Sequence, residues 1–312
     1  MTRFIAEIGS NHNNDLGRCL QLVDAAAQAG CEAVKLQVFR VEELFAPQAL
    51  EAHPELQARR AWELPLEFLG PVRERCEARG VELGATPFAT RAVQELADHV
   101  DFFKIASYEL PWPALIRACA WSGKPLVLST GMATLQEVGT AVEVARSSGV
   151  SELRLLHCVS GYPTPPEQAN LRAIATLRER FAVPVGWSDH TCSERVVRRA
   201  VSHWGAGDVE LHIDLDGLGH EAGEHNWTPA RLRGLIASLA ADSRHAEGER
   251  ADTEPAAQAT PESADAASDE DIDGDGIKRP MPVEEPDVSW RADPVDGLRP
   301  ARQFRPALRV GV

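Results

Sequence analysis

Short apolar or β-branched runs alternate with amphipathic stretches from the first residues to about position 241. The runs predict strands at Phe4–Ile8, Ala33–Phe39, Val81–Thr86, Phe102–Ala106, Leu126–Ser129, Leu153–Cys158, Val183–Trp187 and Val209–Ile213. Between them, apolar residues recur at the spacing of one helix face, as in Leu16–Ala29, Leu66–Arg79, Thr134–Ser148, Ser193–Trp204 and Pro229–Ala241. Asp15, Thr134 and Thr228 mark helix starts, and Gly30, Gly80, Gly123 and Gly149 mark stops. Strands that alternate with helices pair in parallel through crossovers. Eight such units in about 240 residues predict a (β/α)₈ TIM barrel. An open doubly wound sheet should carry a Gly-x-Gly-x-x-Gly turn after its first strand, and Gly9-Ser10-Asn11-His12-Asn13 lacks it.

A barrel places its chemistry at the C-terminal ends of its strands, and the polar residues gather there. Glu7 ends the first strand, and Lys35 and Gln37 share one face of the second. Thr86 closes the third; Lys104, Ser107 and Glu109 follow the fourth; Ser129-Thr130-Gly131 follows the fifth. His157, Ser160 and Tyr162 mark the sixth, Ser188-Asp189-His190 the seventh, and Glu210 and His212 the eighth. Lysines and acids on apolar strands are costly unless paired or engaged with a ligand. Lys35 and Lys104 could be structural partners of Glu7 and Glu109, or could hold a phosphate or carboxylate. His190 and His212, ending neighbouring strands, suit a divalent metal or simply the core. Gly131 could be a turn or a phosphate cradle, and His157 and Cys158 are expected to pack.

Charge refines this picture. Of a net −15 in 312 residues, −10 falls between positions 242 and 275, where twelve acids face only Arg244 and Arg250. That segment has no aromatic residue, so a disordered acidic linker is expected over 242–282, with a short docking tail over 283–312 and the barrel over 1–241. Asp271-Ile272-Asp273-Gly274-Asp275-Gly276 opens like a calcium loop, but its twelfth position is Pro282 rather than Glu. The acidic balance excludes nucleic acid as a partner. No apolar run reaches a membrane span, and the acid at Glu7 argues against a signal peptide. Six scattered cysteines fit reduced thiols, so a cytoplasmic enzyme is expected.

Seven ordered motifs carry a resemblance. They are Ile5-Ala6-Glu7-Ile8-Gly9-Ser10-Asn11-His12, Ala33-Val34-Lys35-Leu36-Gln37, Thr86-Pro87-Phe88, Phe103-Lys104-Ile105-Ala106-Ser107, Leu126-Val127-Leu128-Ser129-Thr130-Gly131-Met132, Leu155-Leu156-His157-Cys158-Val159-Ser160-Gly161-Tyr162-Pro163 and Gly186-Trp187-Ser188-Asp189-His190-Thr191. Over residues 4 to about 236 the chain resembles the sialic acid synthase family. That family condenses phosphoenolpyruvate with an N-acetylated hexosamine and releases phosphate. The resemblance implies phosphoenolpyruvate contacts from Lys35, Thr86, Lys104, Ser107, Ser129 and Ser188. It implies sugar-side roles for Glu7, Gln37, Glu109 and Tyr162, with Ser160 beside them, and a family acid at Glu210. His190 and His212 match its metal ligands, for manganese or magnesium, with Asp189 acting on or behind the metal. Glu7, Lys104, Glu109 and Asp189 are the catalytic candidates, and a homodimer is expected.

Departures from the family pattern point to a different sugar. Strand eight reads Glu210-Leu211-His212-Ile213, without the usual basic residue. The loop Gly219–Trp227 replaces a Gly-Pro-Asp loop, which makes Glu224 and His225 candidates for hydroxyl contacts. The family's antifreeze-like domain, which brings an arginine to a neighbouring subunit's site, has no counterpart in these residues. The tail could replace it, with Trp290 docking and Arg291 reaching the substrate, or could merely pack on the outside of the barrel. Two other readings stay open: a non-catalytic sugar-phosphate-binding relative, and a Schiff-base aldolase with Lys104 as nucleophile.

Overall fold

The computed structural model describes residues 2–249 and 267–309. Eight parallel strands close into a barrel in sequence order: β1 (Arg3–Gly9), β2 (Ala33–Val38), β3 (Glu82–Pro87), β4 (Phe102–Ile105), β5 (Leu126–Ser129), β6 (Leu153–Cys158), β7 (Val185–Asp189) and β8 (Asp208–His212). The TIM barrel expected from the periodicity is the fold. The helix Leu16–Ala29 starts where Asp15 accepts from the Arg18 amide at 2.9 Å, and Thr134 and Glu137 form a full capping box ahead of Leu135–Ser147. Helix faces and outward strand residues such as Leu22, Leu36, Val72, Leu83 and Ile105 make the main core.

Register stacks the barrel interior in layers. At the bottom, fully buried Asp208 binds Arg3 at 2.6 Å and Arg154 at 3.0 Å. Above it, Ile5, Ala33, Phe102, Val127 and Leu156 form an apolar floor. Gly84 pairs with Phe102 across β3 and β4, and a Cβ on Gly84 would run into the Phe102 ring. Two residues further along each strand the lining turns polar: Glu7 lies opposite Lys35 on β2 and opposite His212 on β8, and Ser188 opposite Glu210. The sealed floor makes the upper end the way in.

Two segments cover that end. Between β2 and the helix Leu69–Arg79 lie short helices Val41–Leu44 and Pro47–Ala52 and a 3₁₀ segment Pro54–Trp62. The second is the tail, where the structure corrects the expected linker. Residues 250–266 lie outside the described residues, and the preceding helix runs on to Glu249. From 267 onward, however, the acidic stretch is packed on the barrel. Ile272 is buried, and Asp273 binds Arg199 at 2.6 Å and the Trp204 indole at 2.7 Å. Asp269 pairs with Arg195 at 2.7 Å. Charge counted inside the segment misses these cations, which the helix Glu194–Ser202 supplies. The aspartates of the calcium-like stretch are likewise committed, to Ser268, Arg199 and Arg279.

Candidate active site

A cavity of about 410 Å³ opens at the C-terminal ends of the strands. Its inner half is built from residues that the sequence singles out. Lys35 pairs with Glu7, lies 3.8 Å from Glu210 and donates to Thr86 Oγ1 at 2.9 Å. Lys104 reaches Glu210 at 3.0 Å, and Ser188 Oγ donates to the same carboxylate at 3.2 Å. Gln37 donates to Glu7 at 3.1 Å. Burial drives the Lys35 ammonium down to about 7 against the pull of Glu210. Burial pushes the Glu210 carboxyl up, but Lys104 and Lys35 outweigh it and hold it at about 2. The two lysines are thus already desolvated and paired with Glu7 and Glu210, and an incoming anion would compete with those carboxylates for them.

Beside this cluster stand the histidines. The His190 and His212 ring centroids are 5.3 Å apart, with Tyr162 4.2 Å from His190 and His225 5.0 Å from His212. His190 Nδ1 lies 2.7 Å from the Val159 carbonyl, which suits an N–H there and leaves Nε2 with its lone pair. Burial, then His190 and His225, hold His212 well below its ordinary value and hence neutral, and its Nδ1 is buried with no hydrogen-bond partner. Burial lowers His190 also, but Cys158 and the Val159 carbonyl reverse that. With His212 held neutral, and His190 keeping its proton more readily than a free imidazole, the pair suits a divalent ion that displaces the His190 Nε2 proton on binding. Among the described residues no group of three or more His, Cys, Asp or Glu is placed to hold a metal, so further ligands would have to come from substrate and water.

Further hydroxyls sit around β5 and β6. Ser107 Oγ accepts from the Gly131 amide at 3.0 Å and lies 3.5 Å from Cys158 Sγ. Ser129 Oγ is buried without a hydrogen-bond partner. The Met132 and Ser160 amides both donate, at 2.7 Å, to Glu284 of the tail.

Several expectations are corrected. Asp189 is not a catalytic group facing the cavity: both its oxygens are used by the Trp187 and Trp227 indoles, Thr191 and the Cys192 amide, so it fixes the β7 end from behind. Arg291 does not reach the substrate space; it binds Glu137 at 2.8 Å and the Met132 carbonyl at 3.2 Å. Arg299 lines the cavity instead. Its Nε donates to Glu109 at 2.7 Å and its guanidinium lies 4.1 Å from the Tyr108 ring centroid. Burial raises the Glu109 carboxyl even with Arg299 beside it, and Glu109 sits behind that arginine rather than on the cavity wall. In the loop after β8, Glu224 is exposed, whereas His220, Glu221 and His225 line the cavity. Glu221 Oε2 accepts from the Ser10 amide at 2.8 Å, in space that a Cβ on Gly9 (φ 54°) would occupy. Sequence reasoning missed Arg59 and Trp62 altogether, because nothing in the region between β2 and its helix is periodic.

Comparison with known proteins places the chain. Residues 22–250 match the NeuB family, and the chain belongs to that family. It is 38% identical over 217 residues to an uncharacterised protein of Methanocaldococcus jannaschii, covering 69% of this chain and 63% of that protein. It is 34% identical over 259 residues to the N,N'-diacetyllegionaminic acid synthase of Legionella pneumophila, covering 77% of this chain and 72% of the synthase. A crystal structure of an N-acetylneuraminic acid synthetase from Leptospira borgpetersenii, in complex with citrate, superposes with a TM-score of 0.71 at 30% identity, covering 80% and 91% of the two chains. No helix among the described residues is long and apolar enough to cross a membrane.

Proposed function

We propose that this chain condenses phosphoenolpyruvate with an aldose or amino sugar, giving a sialic-acid-like 3-deoxy-2-keto acid and phosphate. The observation that carries the reading is the joining, in one cavity, of the Lys35–Glu210–Lys104 cluster with the His190–His212 pair. Lys35, Thr86, Lys104 and Ser107 hold the phosphate and carboxylate of phosphoenolpyruvate. Ser129, Ser160 and Ser188 support that side. C3 of phosphoenolpyruvate bonds to the aldehyde carbon using its double-bond electrons, leaving C2 cationic while the aldehyde oxygen takes a proton from solvent. Water adds at C2, and as phosphate leaves with the C2–O electrons the new C2 hydroxyl gives its remaining proton to the phosphate and becomes the ketone. Glu7, held between Lys35 and Gln37, takes the proton of that water. His190 and His212 would hold manganese or magnesium, which would supply Lewis-acid polarisation of the aldehyde.

The Schiff-base alternative is disfavoured because the Lys104 amine is occupied by Glu210 at 3.0 Å. Phosphate release from phosphoenolpyruvate, with manganese and a panel of aldoses, tests the proposal. Turnover should vanish with chelator and in His212→Ala, whose metal content should fall while the fold persists. Full activity in chelator would refute the metal's part, and borohydride trapping of a pyruvate adduct on Lys104 would favour the aldolase.

A further inference from the structure

Of the side chains that line the cavity, the cations deep in it have carboxylate partners. Lys35 has Glu7 and Glu210, Lys104 has Glu210, and Arg299 has Glu109. Arg59, on the Pro54–Trp62 segment above the mouth, differs. Among the described residues no carboxylate lies within ion-pair distance of it, while its neighbours Arg40 and Arg60 pair with Glu63 and Glu42. Arg59 is instead held on aromatic faces, 5.1 Å from the Trp62 ring centroid and 5.7 Å from that of Phe45. Trp62 is in turn stacked on His220 at 6.2 Å. Stacking fixes a guanidinium by its faces and leaves its in-plane N–H groups free to bind.

The surroundings favour an anion at this point. Arg299 faces the same space and repels Arg59; burial first, and then Arg299, lower the Arg59 guanidinium below its ordinary value. Glu221, which attracts it, is committed to the Ser10 amide and is itself raised by burial. A half-buried guanidinium without an ion-pair partner, beside a buried second one whose partner Glu109 lies behind it, is a poor arrangement for an empty site and a good one for an oxyanion. Both belong to segments that cover the mouth, whereas Lys35 and Lys104 lie on strands inside the barrel. The anion they fit is therefore a second one, apart from phosphoenolpyruvate.

We propose that the acceptor sugar carries an anionic group remote from its aldehyde, a phosphate ester or a carboxylate, received by Arg59 together with Arg299. This rests on the condensation reading above. The test compares an N-acetylhexosamine, its 6-phosphate and the matching hexuronic acid as acceptors, with phosphoenolpyruvate and manganese, in the wild type and in Arg59→Gln and Arg59→Lys. The expected result is a kcat/KM at least tenfold higher for one anionic acceptor than for the neutral sugar. Arg59→Gln should erase most of that ratio through KM while the KM for phosphoenolpyruvate moves less than threefold. Arg59→Lys should keep an intermediate ratio. Preference for the phosphate or for the uronate identifies the anion, and either upholds the proposal. Equal or better use of the neutral sugar overturns it while leaving the condensation intact, as does an Arg59→Gln loss equal for all three acceptors, which would mark Arg59 as a brace only. Release of phosphate with none of them overturns the condensation reading, and this inference with it.

Discussion

Arg299 and Glu109 depend on each other as only buried charges do. Neither is more than one-tenth exposed, and the guanidinium meets the carboxylate through two nitrogens. Arg299→Met strands Glu109 in the interior and should lower unfolding free energy by about 3–5 kcal/mol, the usual cost of breaking a buried pair from one side. Adding Glu109→Gln should restore most of that stability in urea titration without restoring the KM for sugar. Recovery of both would remove Arg299 from the binding surface. His157 offers a second test. Burial lowers it to about 3, while its Nε2 lies 2.9 Å from the Ala169 carbonyl. The unfolded chain therefore binds a proton near pH 6.5 that the folded chain refuses. The stability that the neutral ring confers is complete above 6.5 and drains away as pH falls toward 3, at up to about 1.4 kcal/mol per pH unit. His157→Gln keeps the hydrogen bond without the titration. The wild type should thus lose about 2–3 kcal/mol relative to it between pH 6.5 and 4.5, and parallel stability curves would contradict this.

Among elements, the tail separates what is legible in the sequence from what is not. Strand and helix periods locate the barrel because each element buries a stripe against its sequence neighbours, and that stripe is local information. Lys35, Lys104, Glu210 and the two histidines are legible for the same reason: a polar residue on an apolar strand is costly unless a site employs it. The tail has no period. Its acids are offset by Arg195 and Arg199, more than seventy positions away, and its anchor Glu284 is met by amides that any residue could supply. The expected arginine does come from the tail, but Arg299 rather than Arg291 lies at the mouth. Trp290 docks as expected, 5.3 Å from His53 and 6.4 Å from Phe45. Glu284→Gln removes the charge that two amides share and should cost about 1–3 kcal/mol while raising the KM for phosphoenolpyruvate, since Ser160 and the turn after β5 would lose their fastening. An unchanged KM would make the tail a cover with no influence on the phosphate side.

At the scale of the whole molecule, one chain supplies every side chain so far assigned to the cavity. Arg299 is bound on both backbone faces to the loop after β2, its amide to Leu44 and its carbonyl to Ala46 at 2.9 and 2.8 Å. If the expected homodimer forms, turnover per chain should stay constant as dilution shifts the population toward monomers, read by mass photometry alongside phosphate release. A fall in proportion to dimer would mean that the partner completes the site.

The same closure by the tail bears on when the protein can first work during its own synthesis. Strands emerge from the ribosome in barrel order, and domains generally fold as they are made. The eighth strand ends at His212, yet Arg299, which lines the mouth, lies far downstream of it. A nascent chain can therefore own a finished barrel, with both lysines and both histidines in place, and still lack the clamp at its entrance. At roughly 5–20 residues per second of synthesis, activity would begin some seconds after the barrel itself is complete.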